Sequence, residues 1–234
     1  MRKLFFFNVS TPPLSIRSTM RTATTTKVWA FVSQKGGVGK STLAGHAAVW
    51  HARRGASVLI IDADAQQSAG VWLAELAHPS ITVRTVSDWA QLRATIDNHG
   101  ADVCIVDGAG GISPTTRAAL LAADLVVVPC GASVLDLRAA AQMVDLVAKA
   151  RQARPSTRLV CRFVLNRVHL HTTIGHEAVE ALGGLGEPSC RAVVRQRIAL
   201  ADAPGQARTV FDMSGAQDAA DDLEALFSEL NRAK

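Results

Sequence analysis

The sequence predicts an α/β fold, a mostly parallel, twisted sheet with helices on both faces. Three observations point to it. Short apolar, β-rich runs alternate along the chain with segments of helical periodicity, the signature of βαβ units and so of a parallel sheet. The first of these runs passes through a glycine-rich turn directly into a helical segment. A chain of 234 residues with 48% hydrophobic and 19% charged content is long enough to bury a sizeable core and too apolar to be disordered or fibrous. Apolar runs such as Leu125 to Val128 are broken by Pro, Gly or charge, and none approaches the roughly 20 residues that span a bilayer. No integral membrane protein is expected.

Residues 1–26 contain Arg2, Lys3, Arg17 and Arg21 and no acid, so they account for most of the formal net charge of +5. The opening Met-Arg-Lys-Leu-Phe-Phe-Phe imitates a signal peptide, but Asn8 interrupts it and Pro12 and Pro13 stop it without a cleavage site. Met20 stands just before the first strand. The segment is expected to be a disordered extension, residues 27–234 a single domain, and the chain cytoplasmic. Strands are expected at Val28–Val32, Ser57–Ile61, Ile81–Val83, Val103–Val106, Leu125–Val128, Arg158–Leu165 and Arg191–Val194, each an apolar run rich in β-branched residues. Helices are expected between them at Lys40–Arg53, Gln67–Leu76, Ser87–Asn98, Thr115–Ala122, Ser133–Arg154 and Ile174–Leu182. Ser87 reads as an N-cap and Gly100 as a stop. A last helix, Ala216–Asn231, carries Leu223, Leu226, Phe227 and Leu230 on one stripe, as a helix closing over the sheet should. Cys104, Cys130, Cys161 and Cys190 form no C-x-x-C pair and read as buried reduced thiols. The seven histidines show no metal-ligand spacing.

The segment Val28-Trp-Ala-Phe-Val-Ser-Gln-Lys-Gly-Gly-Val-Gly-Lys-Ser-Thr42 carries the chemistry. Strand, glycine turn and helix in that order make a phosphate-binding loop. Gly36, Gly37 and Gly39 let consecutive N–H groups face inward as an anion nest, the helix start adds its positive dipole end, and Lys40 supplies a mobile cation. Ser41 is placed to ligate Mg²⁺. Gln34 stands where the usual pattern has glycine, and Lys35 is an extra cation inside the loop. The fold class is therefore a P-loop NTPase, with Gly36, Gly37, Val38, Gly39, Lys40, Ser41 and Thr42 holding the nucleotide.

Lys35-Gly-Gly-Val-Gly-Lys-Ser41 resembles the deviant Walker A motif of the ParA/MinD ATPases. Ile60-Ile-Asp-Ala-Asp-Ala-Gln-Gln-Ser68 resembles the family's second acidic motif, Val103-Cys-Ile-Val-Asp-Gly-Ala-Gly110 its Walker B strand, and Val126 to Leu137, with Pro129 and Asp136, the strand, loop and helix that follow. The similarity covers Lys27 to the C-terminus and is strongest toward the small, single-domain plasmid-partition ParA proteins. It implies an ATPase that dimerises on binding ATP, holds DNA without reading its sequence, and hydrolyses ATP slowly when a ParB-like centromere-binding adaptor stimulates it. Such a protein is nucleoid-associated when ATP-bound.

Physics and resemblance agree on two carboxylates. Asp107, at the end of a buried strand beside the loop, should orient the Mg²⁺ shell, and Asp62, on the neighbouring strand, could hold a metal-bound water; the alternative is that Asp62 and Asp64 cap a helix. The resemblance gives Asp64 the task of positioning the attacking water. It sends Lys35 across a dimer to the partner's nucleotide, a cation delivered from outside the subunit much as an arginine finger is. It places Asn166 against adenine. Residues 149–208 hold ten Lys or Arg against four acids, and 209–234 two against six. Within the basic part, Arg191, Arg195, Arg197 and Arg208 lie near the segment that contacts DNA in similar ATPases, and with no aromatic interleaving they suit phosphate contact; the alternative is that one or more of them pair with acids on the C-terminal helix. Three other readings use the same loop: positioning of a non-DNA cargo over the nucleoid, MinD-like membrane cycling, and metal-cluster delivery. Asp221, Asp222, Glu224 and Glu229 on the last helix argue against a membrane partner, and Cys130, without a second cysteine nearby, argues against a cluster.

Overall fold

Period-two alternation decides how the first strand sits. In the computed structural model, which describes residues 27–155, 158–169 and 172–233, Trp29 and Phe31 enter one hydrophobic layer while Val28, Ala30 and Val32 enter the other. A strand buried on both faces belongs at the centre of a sheet. The extension expected over residues 1–26 lies outside the described residues, as does His171.

The elements run β1 (Lys27–Ser33), α1 (Lys40–Ala52), β2 (Val58–Asp62), α2 (Ser68–Leu76), β3 (Ile81–Thr85), α3 (Trp89–Asp97), β4 (Val103–Gly110), α4 (Pro114–Ala122), β5 (Leu125–Cys130), α5 (Val134–Ala153), β6 (Val160–Val168), α6 (Thr173–Gly183), β7 (Val194–Arg195), α7 (Ile198–Gly205) and α8 (Gln217–Arg232). The strands form one seven-stranded sheet in the order β3-β2-β4-β1-β5-β6-β7, with every pairing parallel. The strand order reverses on either side of β1, so a crevice opens at its carboxyl end, where ligands bind in such sheets. One face is covered by α1, α2, α7 and α8 around Trp50, Leu73 and Phe227, the other by α3, α4, α5 and α6 around Leu92, Leu120 and Met143. Leu223, Leu226, Phe227 and Leu230 of α8 are all buried, so its apolar stripe serves the core.

Four expectations are corrected. The N-cap of α3 is Asp88, whose carboxylate accepts from the Ala90 and Gln91 amides at 2.8 Å, whereas Ser87 bonds the Gln91 side chain. Its C-cap is Asn98, so Gly100 lies beyond the helix end. The strand expected at Arg191–Val194 shrinks to Val194–Arg195, because β7 reaches β6 only at Asn166 and Val168. Directly after it comes α7, a short alanine-rich helix that periodicity did not reveal. The four cysteines are free and buried, and burial pushes each thiol up to about 12.

Candidate functional site

The loop between β1 and α1 needs its glycines for two different reasons. Gly37 and Gly39 sit at φ +75° and +93°, the left-handed region that favours glycine. A Cβ on Gly39 would also stand 2.2 Å from Asn166 Nδ2. That close approach lets the Asn166 amide donate to the Val38 carbonyl at 2.7 Å. Arg167, itself at φ +60°, donates to the Gly37 carbonyl at 2.7 Å and to Gln196 Oε1 at 3.1 Å. The loop's outward carbonyls are thus tied to the end of β6. The first turn of α1 holds no acid and its N-cap, Gly39, makes no side-chain cap, so the amides of this turn and its dipole remain for an anion.

A cavity of about 520 Å³ opens on this loop. Gly36, Gly39, Lys40, Ser41 and Thr42 form one wall, Asp64 and Gly110 another, and Asn166, Arg167, Arg195 and Arg197 the far side. Its size suits a mononucleotide. Lys40 is buried, and Gly110, the last residue of β4, lies beside it, a Cβ there standing in ordinary contact 3.9 Å from the ammonium Nζ.

Asp62 and Asp107 are register partners on adjacent strands and both are buried. Asp62 is held by backbone, its Oδ1 accepting from the Asp64 amide at 3.0 Å and its Oδ2 from Gly70 at 2.8 Å. Burial raises its pKa, and these amides oppose the rise. The helix-capping alternative for Asp62 is therefore met in part, although a carboxylate has lone pairs beyond these two. Asp64, half-buried at the cavity wall, accepts from the Gln66 amide at 2.9 Å. Asp107 differs from both. Neither of its buried oxygens has a hydrogen-bond partner among the described residues, and burial pushes its carboxyl up to about 7, with Ser41 and Lys40 opposing and Asp62 and Asp64 adding to the rise. A buried, unpartnered carboxylate beside a hydroxyl fits a hard divalent cation. Ser41, Asp62 and Asp107 are the residues that would hold Mg²⁺. Strand β4 continues past Asp107 to Gly110, so this carboxylate sits inside the strand rather than at its end.

Lys35 is not part of the main cavity wall. Its ammonium meets Asp136 Oδ1 at 2.6 Å beside a neighbouring cavity of about 410 Å³, with the lysine side chain 40% exposed. Asp136 also accepts from the Ser133 hydroxyl at 2.5 Å, and a Cβ on Gly131 would come within 2.5 Å of its carboxylate. Burial works to raise the Asp136 carboxyl, but Lys35 and Ser133 hold it below its ordinary value. Next to it Val134 and Leu135 are each 64% exposed.

The expected basic cluster is only in part a free surface. Arg195 forks onto the buried Asp222 and Arg197 pairs with Asp218 at 2.8 Å, both acids belonging to α8. Arg208 bonds the Asp212 carbonyl. The amide of the exposed Arg191 donates to Glu229 at 2.9 Å. Arg195 and Arg197 moreover face the nucleotide-sized cavity. Pairing with acids of the last helix thus holds for Arg195 and Arg197, while the exposed Arg191 has no side-chain partner among the described residues.

One contributor went unrecognised in the sequence, and two others, Trp72 and His46, gain a specific role here. Arg167 had no signal beyond following Asn166. Trp72, on α2, packs so tightly on α1 that a Cβ on Gly45 would meet its ring at 2.2 Å, and its indole donates to the Arg208 carbonyl at 3.0 Å. Buried His46 lies 2.7 Å from the Thr42 carbonyl through Nδ1 and accepts the Val210 amide at 3.2 Å through Nε2, so it is neutral with its proton on Nδ1. It anchors segment 208–212 to the loop helix. Among the described residues no group of acids, histidines and cysteines forms a separate metal cluster.

Comparison with known proteins agrees with this geometry. Residues 29–210 match the CobQ/CobB/MinD/ParA nucleotide binding domain. The chain is 30% identical to the chromosome-partitioning ATPase Soj of Thermus thermophilus over 77% of its own length and 86% of Soj. It is 25% identical to the maintenance of carboxysome distribution protein A of Halothiobacillus neapolitanus, over 86% of this chain and 94% of that one. Among solved structures, the ATP complex of a Cyanothece McdA variant superposes with a TM-score of 0.75 at 17% identity, covering 89% of this chain and 98% of McdA.

Proposed function

The chain belongs to the CobQ/CobB/MinD/ParA nucleotide-binding family and is an ATPase, and on that premise we propose that it is a nucleotide-switched partition protein. ATP binding builds a homodimer, the dimer holds double-stranded DNA without reading its sequence, and a ParB-like centromere-binding adaptor triggers the slow hydrolysis that releases it. In this reading the amides of Gly36 to Thr42 and the Lys40 ammonium hold the phosphates, and Asn166 faces the base. Ser41, Asp62 and Asp107 hold Mg²⁺, which when bound neutralises charge on the phosphate oxygens. Asp64 at the cavity wall orients the attacking water. Lys35 reaches the nucleotide of the second subunit, where a cation meets charge developing on the transferred phosphoryl group.

The observation that carries this reading is the position of Lys35. It sits in the phosphate loop yet lines a different cavity from the nucleotide's, half-exposed and beside the outward-facing Val134 and Leu135. A cation so placed is useful to a neighbouring subunit. The test is binding to a random-sequence duplex at low and moderate salt, with no nucleotide, with ADP and with a slowly hydrolysed ATP analogue. The wild type should bind at least about tenfold more tightly with the analogue, with steep salt dependence. Lys35→Ala should stay monomeric by mass and lose that gain. Equal binding in all three nucleotide states would overturn the reading.

A second reading is favoured by the carboxysome-distribution relative, which aligns over 94% of its length. The same ATP and DNA chemistry would then position a non-DNA cargo through another adaptor. Deletion in the native host separates the two: loss of a replicon supports partition, and scattering of a protein body supports cargo positioning. Membrane cycling finds no support in α8, whose apolar face is buried and whose outer face carries Asp218, Asp221 and Glu224. Co-sedimentation with anionic vesicles and ATP should leave the protein in the supernatant.

A further inference from the structure

α8 answers Arg195 and Arg197 with carboxylates, and a denser group of arginines lies elsewhere in the chain. Between Asp145 and Glu177 the sequence holds Lys149, Arg151, Arg154, Arg158, Arg162 and Arg167 and no acid. Four of them, Arg151, Arg154, Arg158 and Arg162, converge on one concavity of about 490 Å³ where α5 ends and β6 begins, beside Pro155 and Pro188. The buried Glu187 is taken up by both arms of Arg151. Arg154 is steered by the Ala123 carbonyl at 2.7 Å, and Arg162 spends one N–H on the Cys161 carbonyl at 2.8 Å. Arg158 is exposed and has no hydrogen-bond or ionic partner among the described residues. The edge of β6 is open here, because β7 joins it only at Asn166 and Val168 and a single bridge joins Phe163 to Ser189.

This corner lies at the amino ends of the parallel strands, the opposite end from the phosphate loop, so it is not part of the nucleotide site. It is shallow, rich in guanidinium groups and free of aromatic rings in its lining. Planar forks without stacking platforms suit phosphate oxygens rather than bases. We propose that the α5–β6 corner is the surface through which this chain holds the phosphate backbone of DNA. The proposal rests on the partition reading above and specifies where its DNA contact lies. A dimer joined at the phosphate-loop face carries two such corners outside its interface, so dimerisation strengthens binding by adding a second contact, not by building the first.

The test uses the full chain with a slowly hydrolysed ATP analogue and a random-sequence duplex, titrated across salt concentrations, for the parent and for Arg158→Gln with Arg162→Gln. Removing two phosphate-contacting cations per corner should lower the slope of log affinity against log salt by about two for each corner engaged, about four for a dimer held by both, and weaken binding at every salt concentration. Dimer mass and DNA-free ATP turnover should match the parent. Arg158→Glu, at an exposed position, gives the same reading with a loss of about one or more in slope per corner engaged if the double variant folds poorly. A parent that binds while both variants keep its slope overturns the corner alone and leaves these arginines as guards of the open β6 edge. A parent that ignores the duplex in every nucleotide state overturns the partition reading as well.

Discussion

Lys35 and Asp136 form a 2.6 Å ion pair in the single subunit, so a lysine that serves a second subunit must first leave its own aspartate. The pair is partly solvated and is worth no more than about 1 kcal/mol. Asp136→Asn should therefore lower the ATP concentration for half-dimerisation, by about fivefold at most, as sedimentation velocity would measure. A higher threshold would mean that Asp136 aims the lysine instead of restraining it. The buried His46 makes a separate, pH-dependent contribution. Burial lowers its pKa from 6.5 to about 4, with the Thr42 carbonyl and Asp212 opposing. The unfolded chain takes up a proton that the folded one refuses, so this residue's stability contribution is lost as pH falls from about 6.5 toward 4. His51, also lowered to about 4 by burial, acts with the same sign. Asp107, raised to about 7, acts with the opposite sign, its contribution falling as pH rises over the same interval. The His46 share must therefore be read as a difference: denaturant midpoints of His46→Gln should show a weaker acid-side loss than the parent between pH 6.5 and 5.

Elements were legible where pattern and packing coincide. Strand β1 could be read because both of its faces are apolar, and α8 because its stripe has a period near 3.6. The start of α3 was misread by one residue, since Ser87 and Asp88 are both capping types and only backbone geometry chooses between them. Asp88→Ala should cost about 1 kcal/mol in urea unfolding and Ser87→Ala only a few tenths; the reverse order would restore Ser87 as the cap. Short β7 and α7 were illegible for another reason. Two paired residues carry no periodicity, and eight residues of Ile-Ala-Leu-Ala-Asp-Ala-Pro-Gly are fixed by docking near α1 more than by any apolar stripe. The phosphate loop, by contrast, was fully legible, because its glycines answer to local backbone geometry and to one close neighbour, Asn166. The arginine cluster was legible only as two alternatives: Arg195 and Arg197 pair with acids of α8, an element brought near by the complete fold, whereas the side chains of Arg191 and Arg208 take no carboxylate among the described residues.

At the scale of the whole molecule, binding and association should be separable. Nucleotide held by the folded chain stabilises it by about 2.7 kcal/mol at a hundredfold excess over Kd, which for a domain of this size raises Tm by roughly 5–10 °C. That gain depends on groups lining the main cavity, among them Lys40, Ser41 and the loop amides. Lys35 is outside that lining and spends its charge on Asp136. Lys35→Ala should consequently keep most of the shift produced by Mg²⁺-ATP, whereas Lys40→Ala should lose it. In the parent a further part of the shift should grow with protein concentration, since a dimer couples stability to association, and in Lys35→Ala that part should vanish. If Lys35→Ala lost the whole shift at every protein concentration, the lysine would belong to its own subunit's nucleotide site, and the two-subunit arrangement would have no support from this loop.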